Sequence, residues 1–549
     1  MEKIKTLILK NKLLLVIFFI AFLFSWWLMF SSFSYNMGFM QISSKSWSDF
    51  ASHIPLIRSF SLGSNFPPQY PLFPGPYIKY HFIFFALVGL LEKMGIRIDY
   101  AFNIPSIIGF TALILIIYIF SKMVFKSAAV GVLSILFFIF NGSLNFIKFF
   151  TLHPLSANTI SDIVSNQRFI SFGPYDNSII SAFWSLNIYT NQRHLAMSYA
   201  VSLILIFFLL KPHLENKKIN LKTGLFVGIL FGLSFFLNIA VFVMTGIIFA
   251  VLFIFAKNNR LNIFIATTVG GLIGFFQYLF LQQGASASQI SFYAGYLANN
   301  NGLTLFSFLN YWFQNLGLHF ILIPLGFFFA PKKIRQVFFA FFALFIIGNL
   351  FKFSPEIAAN HKFFNLFMII GAMFSSYAIY YLWIKKIFLR PLVAIIFFLL
   401  IFSGIIDFFP IFNDYKINLA DYPVNKDISW IIKNTKPNSV FLNTNYLYTN
   451  ASLAGRKIFL GWPYFAWSQG YNTLERDSLR KKLLTTENLS FLCKTSYVYK
   501  IEYIEEDKYN PIDPSQIKVS SLIDSSFKIS YENKATGYKI YSMDKNCEK

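Results

Sequence analysis

Apolar residues arrive along this chain in near-continuous blocks rather than at helical or alternating period. The blocks run to roughly 15–22 residues, and a hydrocarbon core of about 30 Å needs roughly 20 helical residues per crossing. A soluble protein would show shorter runs with polar residues spaced to leave one face wet. The blocks predict spans near 13–33, 100–121, 126–141, 195–211, 223–238, 239–256, 262–282, 317–331, 334–352, 363–384 and 391–409. The stretch 81–91 is equally apolar but too short to cross, and reads as an interfacial or re-entrant helix. Polar residues collect between the spans in 34–99, 142–194, 283–316 and 353–362, and after Phe412 the pattern changes. SVFLNT and SYVYKIEYI alternate like strands, and Lys436-Pro437-Asn438 and Asn510-Pro511 read as turns. The chain therefore divides into a multi-span part, 1–411, and a tail, 412–549, long enough for an α/β domain with its own core.

Charge decides which way the spans run. A net charge of +23 would suit nucleic acid, but its distribution does not. With Lys3, Lys5, Lys10 and Lys12 cytoplasmic, basic clusters recur on that side at Lys122/Lys126, Lys211/Lys217/Lys218/Lys222, Lys257/Arg260, Lys332/Lys333/Arg335 and Lys385/Lys386/Arg390. That is the positive-inside pattern. It places the long polar loops and the tail on the opposite, extracytoplasmic side. No small-residue cleavage site follows Phe33, so the first apolar run is expected to stay as a span. The expectation is a polytopic α-helical protein of the plasma membrane, with about eleven spans and membrane lipids as its surroundings. The two cysteines, Cys493 and Cys547, are either paired or free, and neither spacing suggests a metal site.

Candidate chemistry lies in the outer loops. SWSDFASHIPLIRSF (46–60) places Asp49, His53 and Arg58 directly after the first span, and on a helix Asp49 and His53 share a face. Ser46-Trp47-Ser48-Asp49 also fits a capping box, in which Asp49 serves only the helix start. The prolines of NFPPQYPLFPGPYIKYHF (65–82) exclude helix and central strand and stiffen a return path ending at Tyr80-His81. Later loops add Asp162, Asp176, Arg193-His194 and Glu356, His361, Lys362. Basic groups at span ends also snorkel to lipid headgroups. Within the spans ionisable residues are almost absent, which argues against an ion pathway. Carboxylates and cations gathered at one membrane surface suit group transfer from a lipid phosphate to a hydroxyl, because the acid takes a proton and the cation meets the leaving phosphate.

The order of these features resembles the GT-C superfamily of membrane glycosyltransferases, including protein mannosyltransferase and aminoarabinose transferase types. Asp49 takes the place of that superfamily's catalytic or metal-contacting acid in the first outer loop, and 65–82 with 81–91 looks like its proline-containing return and juxtamembrane helix. SLAGRKIFLGWPYFAWSQGYNTLER (452–476) is similar to a stretch in outer domains of bacterial GT-C-like proteins. The resemblance implies sugar transfer from a polyprenyl-phosphate-linked donor to an extracytoplasmic lipid, glycan or protein. Asp49 would be the general base with His53 beside it. Arg193, His194, His361 and Lys362 would hold the donor phosphate, and Tyr80, His81, Asp162, Asp176 and Glu356 would contact substrate. Asp49 is followed by Phe50 where many members have a second acid, which leaves open the second carboxylate and any divalent metal such as Mg²⁺ or Mn²⁺. The aromatics of WPYFAW (462–467) are either a stacking surface or, more commonly for such a cluster, domain core. A transporter or flippase of lipid-linked sugars and a non-catalytic assembly protein are the alternatives.

Overall fold

A computed structural model describes residues 12–171, 179–282, 290–300, 302–510, 513, 515–543 and 547. The first helix, α1 (Lys12–Ser32), shows why the chain needs lipid. Ile17, Ala21, Ser25, Leu28, Met29 and Ser32 form a single buried stripe at helical spacing, while Phe19, Ile20 and Leu23 on the other side are 60–65% exposed. A helix apolar all round, with protein on one face only, belongs in a bilayer.

The chain continues through a hairpin, β1 (Phe33–Asn36) and β2 (Phe39–Ser43), into α2 (Trp47–Ser61), the proline-rich return, and α3 (Ile83–Lys93), which packs on α2. The 11 residues of α3 are too few to span, as expected. There follow α4 (Ile98–Phe125), α5 (Ala128–Ile139), α6 (Asn145–Leu152), α7 (Thr159–Val164), α8 (Arg193–Leu214), α9 (Leu221–Leu233), α10 (Ile239–Phe255), α11 (Arg260–Gln282), α12 (Leu305–Leu316), α13 (His319–Phe329), α14 (Lys332–Leu350), α15 (His361–Lys385) and α16 (Arg390–Phe412).

All the expected spans are helices, but not all are long. Among the described residues seven helices are long and apolar enough to cross a membrane, and an eighth crossing is counted if α12 and α13 form one bent span. These two meet at 87°. Their corner is Gly317 at φ 53, where a Cβ would lie 1.9 Å from the Gly142 carbonyl oxygen. Only a glycine fits so close an approach. The α12 half lies inside what the sequence suggests is an outer loop. The other three, α5, α9 and α10, have 12, 13 and 17 residues, so α5 reaches only about 18 Å. The break at Asn238 is a helix start, its side chain accepting from Val241 N at 3.2 Å.

Contacts sort the loops into two ends. His213 pairs with Gln336 at 3.0 Å, Lys333 bonds Asn216, and Asn259 holds Ile219 N at 2.7 Å, so several basic turns share one end of the bundle. At the other end Asn103 donates to Phe33 O, Ser46 to Asn191, Ile83 N to Phe236 O and Tyr199 to Lys362 O.

The tail forms β3 (Lys416–Ala420), α17 (Lys426–Asn434), β4 (Val440–Asn443), α18 (Asn450–Leu453), β5 (Lys457–Ile458), α19 (Pro463–Ser468), α20 (Thr473–Thr485), α21 (Leu489–Tyr499), β6 (Ile501–Glu506), α22 (Ser521–Ser526), β7 (Lys528–Asn533) and β8 (Tyr538–Ser542). A mixed sheet has the order β5-β4-β6-β8-β7, with β5, β4 and β6 parallel and β8 antiparallel to both its neighbours. Cys493 and Cys547 are disulfide-bonded. The core of this lobe is not its own. β3 pairs antiparallel with β2, from Phe39↔Ala420 to Ser43↔Lys416, and one apolar cluster joins Phe50, Ile54, Tyr70 and Leu72 to Ile428, Phe441, Leu460 and Ile504. The first loop and the tail are one body because each supplies half of that core.

Candidate active site

Helix α2 begins without the expected capping box. Ser46 makes no cap bond; its hydroxyl donates to Asn191 at 2.6 Å. Asp49 is half-buried in the first turn, and its carboxyl has no hydrogen-bond or ion-pair partner among the described residues. The helix runs on through Pro55, so Asp49 and His53 do share a face. His53 is buried, its ring 4.7 Å from Phe85, and its Nδ1 has no partner among the described residues.

Four distant segments close around this face. The proline-rich return brings Tyr80 and His81, whose rings lie 3.8 Å apart. The start of α8 brings His194, bonded Nε2 to Nε2 with His81 at 2.8 Å. The start of α15 brings Lys362, half-buried, whose ammonium has no partner among the described residues. The tail brings Tyr448, with its ring 4.3 Å from Trp47 and its hydroxyl donating to Trp47 O at 2.5 Å. Asp49 lies within electrostatic reach of Lys362, Tyr80 and Tyr448.

Burial sets the charge states. It pushes the Asp49 carboxyl up to about 6, with the Lys362 charge pulling the other way. It also pushes His53 down to about 3, helped by Arg193 and Lys362, and His81 well below the usual imidazole range, helped by Lys362 and His53. The Tyr80 phenol is raised by burial and by Asp49. At neutral pH the face therefore holds one carboxylate, one unpaired lysine and neutral imidazoles, an arrangement able to accept a proton from a hydroxyl and to meet an anion.

Several expected site residues stand elsewhere. Arg193 is fully buried and spends its guanidinium on neutral acceptors: Thr190 O at 3.2 Å, Met29 O at 3.0 Å, Ser32 Oγ at 2.8 Å and the Asn103 side chain. Phe33, Phe50 and Phe102 enclose it. It ties α8 to α1 and α4, with no face left for a phosphate. His361 is buried against Phe183 and holds Asn365 at 3.1 Å. Glu356 lies within electrostatic reach of Lys362 and accepts from the Tyr464 phenol. Asp162 sits on α7, which packs on α16, and no contact among the described residues joins it to the cluster. Asp176 lies outside the described residues. Arg58, next to the site in sequence, is fully buried in ion pairs with Asp421 (2.7 Å) and Glu92 (3.2 Å). Asp407, inside the last span, is buried and accepts from Asn141 and Asn145 at 3.2 and 2.9 Å. It lies five residues from the end of α16, away from mid-span. An acid late in an apolar block was visible in the sequence, whereas nothing around Tyr448 marked it as a neighbour of Asp49.

The donor set does not suit a divalent metal. Among the described residues no group of three or more His, Cys, Asp or Glu side chains is placed to hold one, and the charged neighbour of Asp49 is a lysine.

No family model and no curated protein matches the chain. Among solved structures it is similar to the archaeal oligosaccharyltransferase AglB from Archaeoglobus fulgidus, determined in complex with an inhibitory peptide and a dolichol-phosphate. The TM-score is 0.47 at 14% sequence identity, over 91% of this chain and 70% of that one.

Proposed function

We propose that the protein is an integral membrane glycosyltransferase of GT-C type that moves a sugar from a polyprenyl-phosphate-linked donor to a hydroxyl of an extracytoplasmic acceptor. The observation that carries this reading is the pairing of two free groups of opposite kind. The Asp49 carboxyl neither caps its helix nor pairs with a cation by contact, and it lies within electrostatic reach of Lys362, likewise without a partner among the described residues, beside the neutral side chains of His53, Tyr80 and Tyr448. A structural carboxylate would be bonded, as Asp407 and Asp421 are.

In the reaction Asp49 takes the proton from the acceptor hydroxyl as its oxygen attacks the anomeric carbon. The bond from that carbon to the donor phosphate oxygen breaks, and polyprenyl phosphate leaves with both electrons, its charge met by Lys362. The Tyr80 phenol orients the sugar hydroxyls and phosphate oxygens, whereas His194, expected to meet the phosphate, is fully buried and bonded to His81, so it holds the proline-rich return against the start of α8. Arg193 and His361 act as positioning residues, the first by locking the start of α8 and the second by flanking Lys362. The end of the bundle that bears these residues is the extracytoplasmic one in the reading from basic clusters, and the Cys493–Cys547 disulfide of the adjoining lobe suits an oxidising compartment.

The test is transfer in reconstituted vesicles, from a radiolabelled polyprenyl-phosphate sugar to envelope acceptors, with the wild type and Asp49→Asn. Loss of transfer with intact membrane insertion is expected, and undiminished transfer removes the assignment. A protein that only moved donor across the bilayer would leave the label on the polyprenyl phosphate.

A further inference from the structure

The WPYFAW stretch is not simply core. Phe465 and Ala466 point inward at 7% and 1% exposure, whereas Trp462, Tyr464 and Trp467 stand out at 39%, 36% and 41%. Their rings form a ridge, Trp462 to Tyr464 at 5.8 Å and Tyr464 to Trp467 at 5.9 Å. The ridge adjoins the site. Tyr464 donates to the Glu356 carboxylate, Ser354 Oγ donates to Ser468 O at 3.1 Å, and Glu356 is within electrostatic reach of Lys362. Just beyond it, Tyr471 stacks on Tyr70 at 6.2 Å, and Lys79 of the return holds Gly470 O at 2.7 Å.

We infer that this ridge binds the carbohydrate chain of a glycan acceptor and leads its terminal hydroxyl to Asp49. The inference rests on the transferase reading and narrows its acceptor class. Partly exposed rings with centroids 5.8 and 5.9 Å apart suit the C–H faces of successive sugar rings, and a carboxylate beside them accepts from sugar hydroxyls. Two other occupants fit less well. A peptide commonly adds a strand to a sheet edge, but the edge beside the ridge is already taken: Ile458 N donates to Pro71 O at 2.9 Å and Gly461 N to Leu72 O at 2.8 Å. Trp and Tyr also sit at the headgroup level of a membrane, but the central ring here is bonded to an acid that repels anionic headgroups.

The experiment is saturation-transfer NMR on the full chain in nanodiscs, without donor. The probes are mannotriose, chitotriose, maltotriose and cellotriose, with a Ser/Thr-rich decapeptide and anionic vesicles as controls. Saturation is expected to reach the C–H protons of at least one trisaccharide. In the Trp462→Ala/Trp467→Ala variant its affinity should fall by about tenfold or more, with the thermal unfolding midpoint kept. Absence of transfer to every trisaccharide, equal binding by the variant, or ridge-dependent binding of only the peptide or the vesicles would each overturn the inference. Because no turnover is involved, the result stands apart from the Asp49→Asn test. Loss of transfer there says nothing about sugar binding here, and failed sugar binding leaves the transferase reading intact.

Discussion

Asp49 sits where the fold disfavours its charge, because burial outweighs the attraction of Lys362. Its native carboxyl titrates near 6 against an ordinary 3.8. The folded state thus holds the proton more tightly, and stability falls as pH rises across that window. Asp49→Asn should abolish this slope and unfold no sooner than the wild type at neutral pH, while transfer drops about 10²–10⁴-fold, the usual worth of a general base. Thermal melts and vesicle transfer measured on the same preparation check both halves. Wild-type transfer should fail as pH drops through about 6. Removing the opposing cation with Lys362→Met should slow transfer and move this acid limb to higher pH, read directly from the pH–rate profile. Asp49 and His53 were legible in the sequence because polar groups four residues apart, directly after an apolar block, fall on one helix face at the membrane surface. Arg193 misled because a cation at a span mouth looks the same whether it awaits a phosphate or, as here, is saturated by acceptors such as Asn103 and Met29 far away in sequence.

At the scale of elements, the site depends on how α2 is clamped at its far end. Arg58, near that end, pairs with Glu92 of α3 and with Asp421, which follows β3. Arg58→Ala would leave two buried carboxylates unmatched and should cost about 3–5 kcal/mol, seen as a lowered unfolding midpoint in detergent. Beside it the lobe presses its turn against the helix terminus. Gly455, at φ +76, would place a Cβ 2.4 Å from Arg58 O, so Gly455→Ala should pry the lobe from α2, and limited proteolysis should report the loosening. The helical course of the apolar blocks and the short α3 were readable because block length maps onto helix length, but the number of crossings was not, since α5, α9 and α10 are shorter than their blocks. Nor was the 87° corner, since a glycine between Asn315 and His319 reads equally well as the end of a loop, and only the approach of Gly142 shows why the chain turns there.

At the scale of the whole molecule, the α/β character of the tail was legible from its alternating strands, but its lack of a separate core was not. Alternation reports which face of a strand is buried, not which part of the chain covers it. The lobe also carries a titration of its own. Glu505 is fully buried, bonded by Tyr538 Oη at 2.8 Å and Ala451 N at 3.1 Å, and pushed up to about 8 by burial and then by Asp507. Stability from this proton is complete below the ordinary 4.5 and is lost as pH rises through about 8. Glu505→Gln should flatten that decline in melts taken from pH 5 to pH 9. The pairing of β2 with β3 has a further bearing on biosynthesis. The ribosome delivers the hairpin before α2 to α16 and its partner strand only after α16 has been made. For most of translation the nascent first loop must wait with an open strand edge and half a core. This end of the molecule therefore closes in one late step, and a chain stalled before β3 leaves that edge unpaired.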